Sequence, residues 1–285
     1  MTTQSDRAIR AMTDDGAFRV IAVRMTDTVA EAIRVQGATG TDATLFAELM
    51  VATVLTRETM SPAHRTQASI RDGYGGQLFV DSHPGGLTRG VRTPPNNDEP
   101  HLQIDEGSLL KCVRVLYSGE LHESITAMPH TGDVSEAFMG YMQISEQVSS
   151  FIRVACVMEA GQVRACGGFI VQLLPDVTRE PLDVLTRRLE GIGDFGADLR
   201  SVDADPEVLL DSLLDGFEFT VLDRAEVQFG CLCDSTRLLS AVAALGREDV
   251  EEIVARGEPL QISCDYCHSV YEMSPHQLSS LLHAS

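Results

Sequence analysis

The chain has 285 residues, 44% of them hydrophobic, and 42 acids against 22 bases give it a net charge of −20. That length suffices for one large domain or two smaller ones with a sizeable core, while the acidic balance argues against binding a nucleic-acid backbone, which needs a basic footprint. Tryptophan is missing and aromatics make up 5% of the chain, so stacking platforms for bases or sugars are not expected.

Taken in order, residues 1–7 carry no apolar run of signal-peptide type. No stretch reaches the ~18 uninterrupted apolar residues of a membrane span. A cytoplasmic protein that does not engage a membrane is therefore expected. Phe18, Val20, Ile21 and Val23 suggest a first strand. Thr28 and Glu31 have capping-box spacing and open a short helix that ends before Gly37. A second helix runs from Gly40 to about Glu58, and its apolar residues nearly encircle it, which predicts burial. Runs at 66–71, 77–81 and 87–92 read as strands separated by Gly- and Pro-rich turns. A further hairpin is expected over 109–117 and 120–126. Asp133, three residues before Glu136, caps a helix carrying Phe138, Met139, Tyr141 and Met142, read as core positions. Two long strands follow, over 148–158 and 163–174. A turn centred near Gly161 sets Cys156 opposite Cys166 across this hairpin, where both read as reduced, buried thiols. Cys112 reads as a small core residue.

After Pro175 the composition changes. Residues 179–230 hold thirteen acids and five arginines, a net of −8 over 52 positions. Amphipathic helical patterns appear at 182–189 and 208–214, separated by Gly191-Ile-Gly-Asp-Phe-Gly196. Helices this short and acidic are marginal alone and depend on tertiary packing. The expected organisation is an α+β N-terminal core domain over 1–178, an acidic helical linker over 179–230 and a small C-terminal domain over 231–285. Within the last, helices are expected at 236–245, 248–255 and from Ser274-Pro275 to about 282, with Ser as cap and Pro in the first turn. A unit of this size with little apolar mass usually needs a staple.

The staple is legible. Four of the seven cysteines sit in two close pairs, Cys231-Leu-Cys233 and, thirty residues later, Cys264-Asp-Tyr-Cys267. Four thiolates are a ligand set for one structural Zn²⁺ per chain. Permanent disulfides would be the other use of such pairs, but they need an oxidising compartment that nothing else in the chain supports. Metal-holding thiolates are also the form that oxidants attack. Each thiol has a neighbour one or two residues away, so oxidation would pair Cys231 with Cys233 and Cys264 with Cys267, removing all four ligands. Nucleophile-elbow, Walker, dinucleotide and open three-ligand zinc patterns do not occur in the sequence, and an enzyme is not expected.

The Cys-x-Cys and Cys-x-Tyr-Cys pattern, together with Glu48-Leu-Met-Val-Ala-Thr53, Thr131-Gly-Asp133, Ser145-Glu-Gln147, Gly167-Gly168 through Pro175, Val227-Gln-Phe-Gly-Cys231 and Ala244-Leu-Gly246-Arg-Glu248, resembles the redox-regulated heat-shock holdase family, the 33 kDa chaperonins. The resemblance implies an ATP-independent holdase, inactive when reduced and zinc-bound. Oxidation is then expected to release zinc, form the two disulfides, destabilise the linker and expose a surface for unfolding client proteins, with homodimerisation of the active form. The alternative is a constitutive zinc-stabilised adaptor without a redox switch. One departure is His268, which follows Cys267 where the family often has a small residue such as Gly that eases the turn.

Overall fold

The helix over Gly40–Glu58 (α2) is the centre of the first of two compact units, Met1–Phe229 and Gly230–Ser285, in a computed structural model that describes residues 5–175 and 177–282. Phe46, Leu49, Met50, Val51, Val54 and Leu55 are all fully buried, as the all-round apolar pattern predicts. The reason is that α2 packs against strands of both sheets.

The first sheet contains β1 (Arg7–Thr13), β2 (Phe18–Arg24), β8 (Ser150–Glu159), β9 (Gln162–Leu173) and β10 (Phe219–Glu226), all antiparallel, in the order β10-β1-β2-β9-β8. The second contains β3 (Arg65–Arg71), β4 (Gln77–Ser82), β5 (Leu87–Thr93), β6 (Leu109–Val115), β7 (Leu121–Ala127) and the short β11 (Gln228–Phe229), in the order β11-β5-β4-β3-β6-β7. Helices α1 (Thr26–Gln36) and α3 (Val134–Tyr141) complete this α+β layer.

Strand β9 shows how the sequence encodes its place. Cys166 and Ile170 point into the core around α2, while Ala165, Phe169 and Val171 point to the opposite face. A strand covered on both faces reads as a continuous apolar run rather than an alternation. Gly167 and Gly168 fit the crowding there: a Cβ at either would lie 2.4 Å from a carbonyl oxygen, of Val23 or of Arg153.

What covers the outer face is the acidic segment. Helices α4 (Arg179–Glu190), α5 (Phe195–Ser201) and α6 (Pro206–Leu213) set Leu185, Leu189, Phe195, Leu199, Leu209, Leu210 and Leu213 against Ile9, Phe18, Val20, Phe169 and Val171. The Phe169 and Phe195 rings meet edge-on at 5.4 Å. Each such side chain contributes roughly 1.5–3 kcal/mol on burial. These helices are thus held by tertiary packing, which short acidic helices require.

Several local expectations change. The strand expected at 18–23 is β2, but it is preceded by a further strand, β1, with which it forms a hairpin. Residues 191–196 are not only a separator, because Asp194 caps α5 by accepting a hydrogen bond from the Ala197 N–H at 3.1 Å. The end of the acidic segment is a strand, β10, that pairs with β1 at the sheet edge. Helix α1 begins at Thr26 without a side-chain cap of its own. The Thr28 N–H instead donates to the buried carboxylate of Asp6 at 2.6 Å, so a distant acid does the work assigned to a capping box. By contrast, Asp133 caps α3 as expected, accepting from the Glu136 N–H at 3.0 Å. Phe138, Tyr141 and Met142 are buried core residues, and Met139 packs against them.

Asp81 anchors the second sheet. Its carboxylate receives Arg65 at 2.5 and 2.7 Å, Arg89 at 3.1 Å and His83 at 2.9 Å. Burial pushes this carboxyl up, but the hydrogen bonds from His83 and Arg65 outweigh it and hold Asp81 well below the usual carboxylate range.

The second unit is small. It consists of helices α7 (Ser235–Ala243), α8 (Arg247–Ala255) and α9 (Pro275–Leu281) and the antiparallel hairpin of β12 (Leu260–Ser263) and β13 (Val270–Met273). Its core is Val242, Met273 and Leu278, with partly buried Leu238, Leu239, Ile253 and Ile262 packed on it. Ser274 and Gln277 form a full capping box at α9, behind Pro275.

Candidate metal centre

Two local devices bring the four C-terminal thiols together. Cys231 and Cys233 lie on the segment that enters α7, whose start is fixed by Asp234 accepting from the Arg237 N–H at 2.9 Å. Cys264 and Cys267 lie in the turn between β12 and β13. The Cys264 N–H donates to the Ser269 carbonyl at 2.9 Å, and the His268 N–H donates to the Cys264 carbonyl at 2.8 Å. His268 takes a left-handed conformation to close this turn, with φ of +56°. That is the position at which a glycine would be free of strain.

The sulfurs of Cys231, Cys233, Cys264 and Cys267 all lie within 4.8 Å of one another. Cys231 Sγ is 3.6 Å from Cys264 Sγ, and Cys233 Sγ is 3.3 Å from Cys267 Sγ. A tetrahedral ion with metal–sulfur bonds of ~2.3 Å needs sulfurs about 3.8 Å apart. The two separations lie a little below that value and no pair exceeds 4.8 Å, so the cluster fits one tetrahedral metal ion. All four are in the reduced form. Both of these sulfur contacts run between the two motifs, and with all four sulfurs within 4.8 Å proximity alone permits pairing within or across them. His268 is not in the cluster, and four sulfurs leave no vacancy for it.

The surroundings differ from thiol to thiol. Burial raises Cys267, but the Ser269 hydroxyl, 3.3 Å from its sulfur, and the Ser269 N–H outweigh that and hold it down to about 7. Cys233 is pushed up to about 12, first by burial and then by the neighbouring thiols, against a hydrogen bond from Tyr271. Four anions this close repel one another, and a dication is what would let all four ionise. Tyr271 is a supporting residue to which the sequence analysis assigned no role. Its hydroxyl donates to the Cys233 carbonyl at 3.1 Å and lies 3.2 Å from Cys233 Sγ. The available signal was a polar-tipped aromatic four residues beyond a Cys-x-x-Cys, which is weak by itself.

The other thiols lie elsewhere. Cys112 is buried in the core around α2, and burial followed by nearby Glu146 pushes its thiol far up. Cys156 and Cys166 are direct partners across β8 and β9, as the turn position implies.

Residues 6–274 match the model of the Hsp33 protein family. The chain belongs to the Hsp33 family. Its relatives include the 33 kDa chaperonin of Synechococcus elongatus, 30% identical over 98% of this chain and 97% of that protein. The 33 kDa chaperonin of Listeria monocytogenes is 27% identical over 97% of this chain and 98% of its own. The crystal structure of the 33 kDa chaperonin, a heat shock protein 33 homolog, from Thermotoga maritima superposes with a TM-score of 0.82, covering 99% of both chains at 19% identity. That likeness carries the fold. Membership of the Hsp33 family makes this chain a chaperone rather than an enzyme. Among the described residues no helix is long and apolar enough to cross a membrane.

Proposed function

We propose that this chain is a redox-gated, ATP-independent holdase whose resting form holds one Zn²⁺ on Cys231, Cys233, Cys264 and Cys267. The observation that carries the reading is four thiols within 4.8 Å of one another in a unit whose own core is three buried side chains. Zinc there supplies a closed, structural tetrahedral centre and no open coordination position. Its binding contributes roughly 10–16 kcal/mol in small domains, as much as the ~5–15 kcal/mol that stabilises a whole domain. The fold of the second unit then depends on the thiolates staying reduced.

Oxidation acts on the thiolates. Each disulfide forms when two cysteines give up two electrons. A peroxide taking them up is reduced to two waters, with protons drawn from solvent where thiolates rather than thiols react. Pairing Cys231 with Cys233 and Cys264 with Cys267 removes every ligand and the staple with it. Cys231 is two residues beyond Phe229, the end of β11, so loosening the tail frees the chain that leads back to β10 and the acidic helices. Release of α4–α6 would uncover Ile9, Phe18, Val20, Phe169 and Val171, a contiguous apolar face on the first sheet. Such a face binds unfolding proteins, and it also favours association of two oxidised copies. The acidic surface elsewhere suits a cytoplasmic protein that keeps its clients soluble and does not bind nucleic acid.

The test treats the zinc-loaded reduced protein with peroxide under mild heat. Released zinc and the aggregation of a thermally unfolding enzyme are followed together. About one zinc per chain should be released as suppression of aggregation switches on. Equal suppression by the reduced protein, or none after oxidation, contradicts the reading. Binding of a partner by the reduced form that oxidant and chelator both abolish would mark a zinc-stabilised adaptor instead.

A further inference from the structure

Cysteines 156 and 166 lie outside the metal centre, and the backbone between them has a specific geometry. They are direct register partners on antiparallel strands. The Cys166 N–H donates to Thr26 Oγ1 at 3.1 Å, and its carbonyl accepts from the Met25 N–H at 2.8 Å. Both main-chain groups of Cys166 therefore point away from β8, toward the start of α1. The 156–166 pair is thus a non-hydrogen-bonded pair, the class in which facing Cα atoms approach to about 4.5 Å and side chains are closest. Disulfides span Cα separations of roughly 4.4–6.8 Å, so a bridge here falls within the reach of the existing backbone.

The side chains are poised accordingly. Cys156 is among the groups that raise the Cys166 thiol, and the contact its own sulfur makes is with Met158 Sδ, at 3.7 Å. Both lie on the sheet face toward α2, where Cys166 is fully buried and Cys156 is partly exposed at the edge of the same core. The pair is asymmetric, with one thiol open to small oxidants and the other sealed behind it.

We propose that Cys156 and Cys166 are a second thiol–disulfide couple, a modification site in the first unit that is oxidised by peroxide separately from the four-thiol cluster. Cys156 attacks a peroxide oxygen as the thiolate. The O–O bond breaks, hydroxide leaves, and Cys156 becomes a sulfenic acid. The Cys166 sulfur then attacks the sulfenic sulfur. The S–O bond breaks as the S–S bond forms, and water leaves with the proton of Cys166. Two thiols and one peroxide give one disulfide and two waters. Burial pushes the Cys166 thiol well up, which makes the second step the slow one.

The bridge has a structural consequence. On the opposite face of the same hairpin, Ala155, Val157, Ala165 and Phe169 belong to the cluster shared with the acidic helices. A bond between Cys156 and Cys166 ties β8 to β9 and keeps that platform paired when the helices leave it. The inference does not depend on which metal the C-terminal thiols hold, or on whether they hold one.

Peptide mapping tests it directly, because Arg153, Arg164 and Arg179 are trypsin sites. Cleavage releases Cys156 in peptide 154–164 and Cys166 in peptide 165–179, so a bridge appears as two linked peptides. The full-length metal-loaded chain is treated with graded hydrogen peroxide, quenched with N-ethylmaleimide and digested without reductant. At peroxide levels that oxidise the C-terminal cluster, most of both peptides should be recovered linked, and reductant should separate them. In the Cys166→Ser variant, Cys156 should instead proceed to sulfinic acid. Recovery of both peptides singly with maleimide on each cysteine overturns the proposal. So does sulfinic Cys156 in the unsubstituted chain, or a bridge from either cysteine to the C-terminal four.

Discussion

The two units of this chain are stabilised by different means. The first buries Phe18, Phe46, Phe138 and Phe169 completely and wraps two sheets around α2. Among its described residues the second has a core cluster of only Val242, Met273 and Leu278, with Val250 also buried, and on the proposed reading it relies on the geometry of four sulfurs. Hydrophobic burial is indifferent to oxidants and chelators, whereas a thiolate–metal site is sensitive to both. A chain built this way can lose one unit under oxidation while keeping the other. The acidic helices α4–α6 sit at the margin, inside the first unit by packing yet acidic and short.

The strongest way to break this contrast is to remove the proposed metal ligands. Cys264→Ser, or a strong chelator, should unfold the second unit, since roughly 10–16 kcal/mol of binding free energy is lost. Hydrogen exchange should then show α7 and α8 unprotected and α2 unchanged. Protection retained in α7 and α8 would mean that the small core suffices without the metal.

Next in size is Phe195→Ala, at the edge-on contact with Phe169. Truncating a buried aromatic costs about 3–5 kcal/mol. Limited proteolysis should cut within 178–218 in the reduced protein, ahead of any cut in α2, and client suppression should appear without oxidant. Unfolding of the whole first unit in a single step would show that the acidic helices are not separately marginal.

A smaller effect sharpens the account of the first unit. Glu48, on α2, is pushed up to about 7, first by burial and then by the charge of Asp133. The folded state therefore holds a proton on Glu48 between about pH 4.5 and 7 that the unfolded state has released, so its contribution weakens as pH rises through that window. Glu48→Gln should raise stability by about 1–3 kcal/mol at pH 8 and by little near pH 4.5, as read by denaturant melts at the two pH values. Asp81 has the opposite sign. Its depressed carboxyl stabilises the fold above about pH 4, and that contribution is lost as pH falls below it. The smallest effect belongs to His268, whose left-handed backbone costs about 1 kcal/mol that glycine would not incur. His268→Gly should raise the melting temperature of the second unit by a few degrees and leave the first unit unmoved.

The site was more legible in the sequence than the fold. Cysteine spacing states a ligand set almost independently of topology, so Cys231, Cys233, Cys264 and Cys267 could be named together. Helix α2 was readable because its apolar residues run all round, and α3 and α9 because their caps carry local hydrogen-bonding chemistry. What stayed hidden depended on distant partners. Strand β10 has an edge position with alternate residues in water, and its acids merge with those of the preceding helices. Asp6 serves α1 across twenty-two positions, which no local pattern can announce. The acidic segment gave no sign of which surface it covers, because its leucines find Phe169 and Val20 only through the sheet order.

The most direct test of the central claim follows metal release and hydrogen exchange in the same oxidised sample. The account predicts that protection of α4, α5 and α6 is lost with the same time course as zinc release, while α2 keeps its protection. Zinc leaving while those helices stay protected, or the helices opening with the metal still bound, would contradict it.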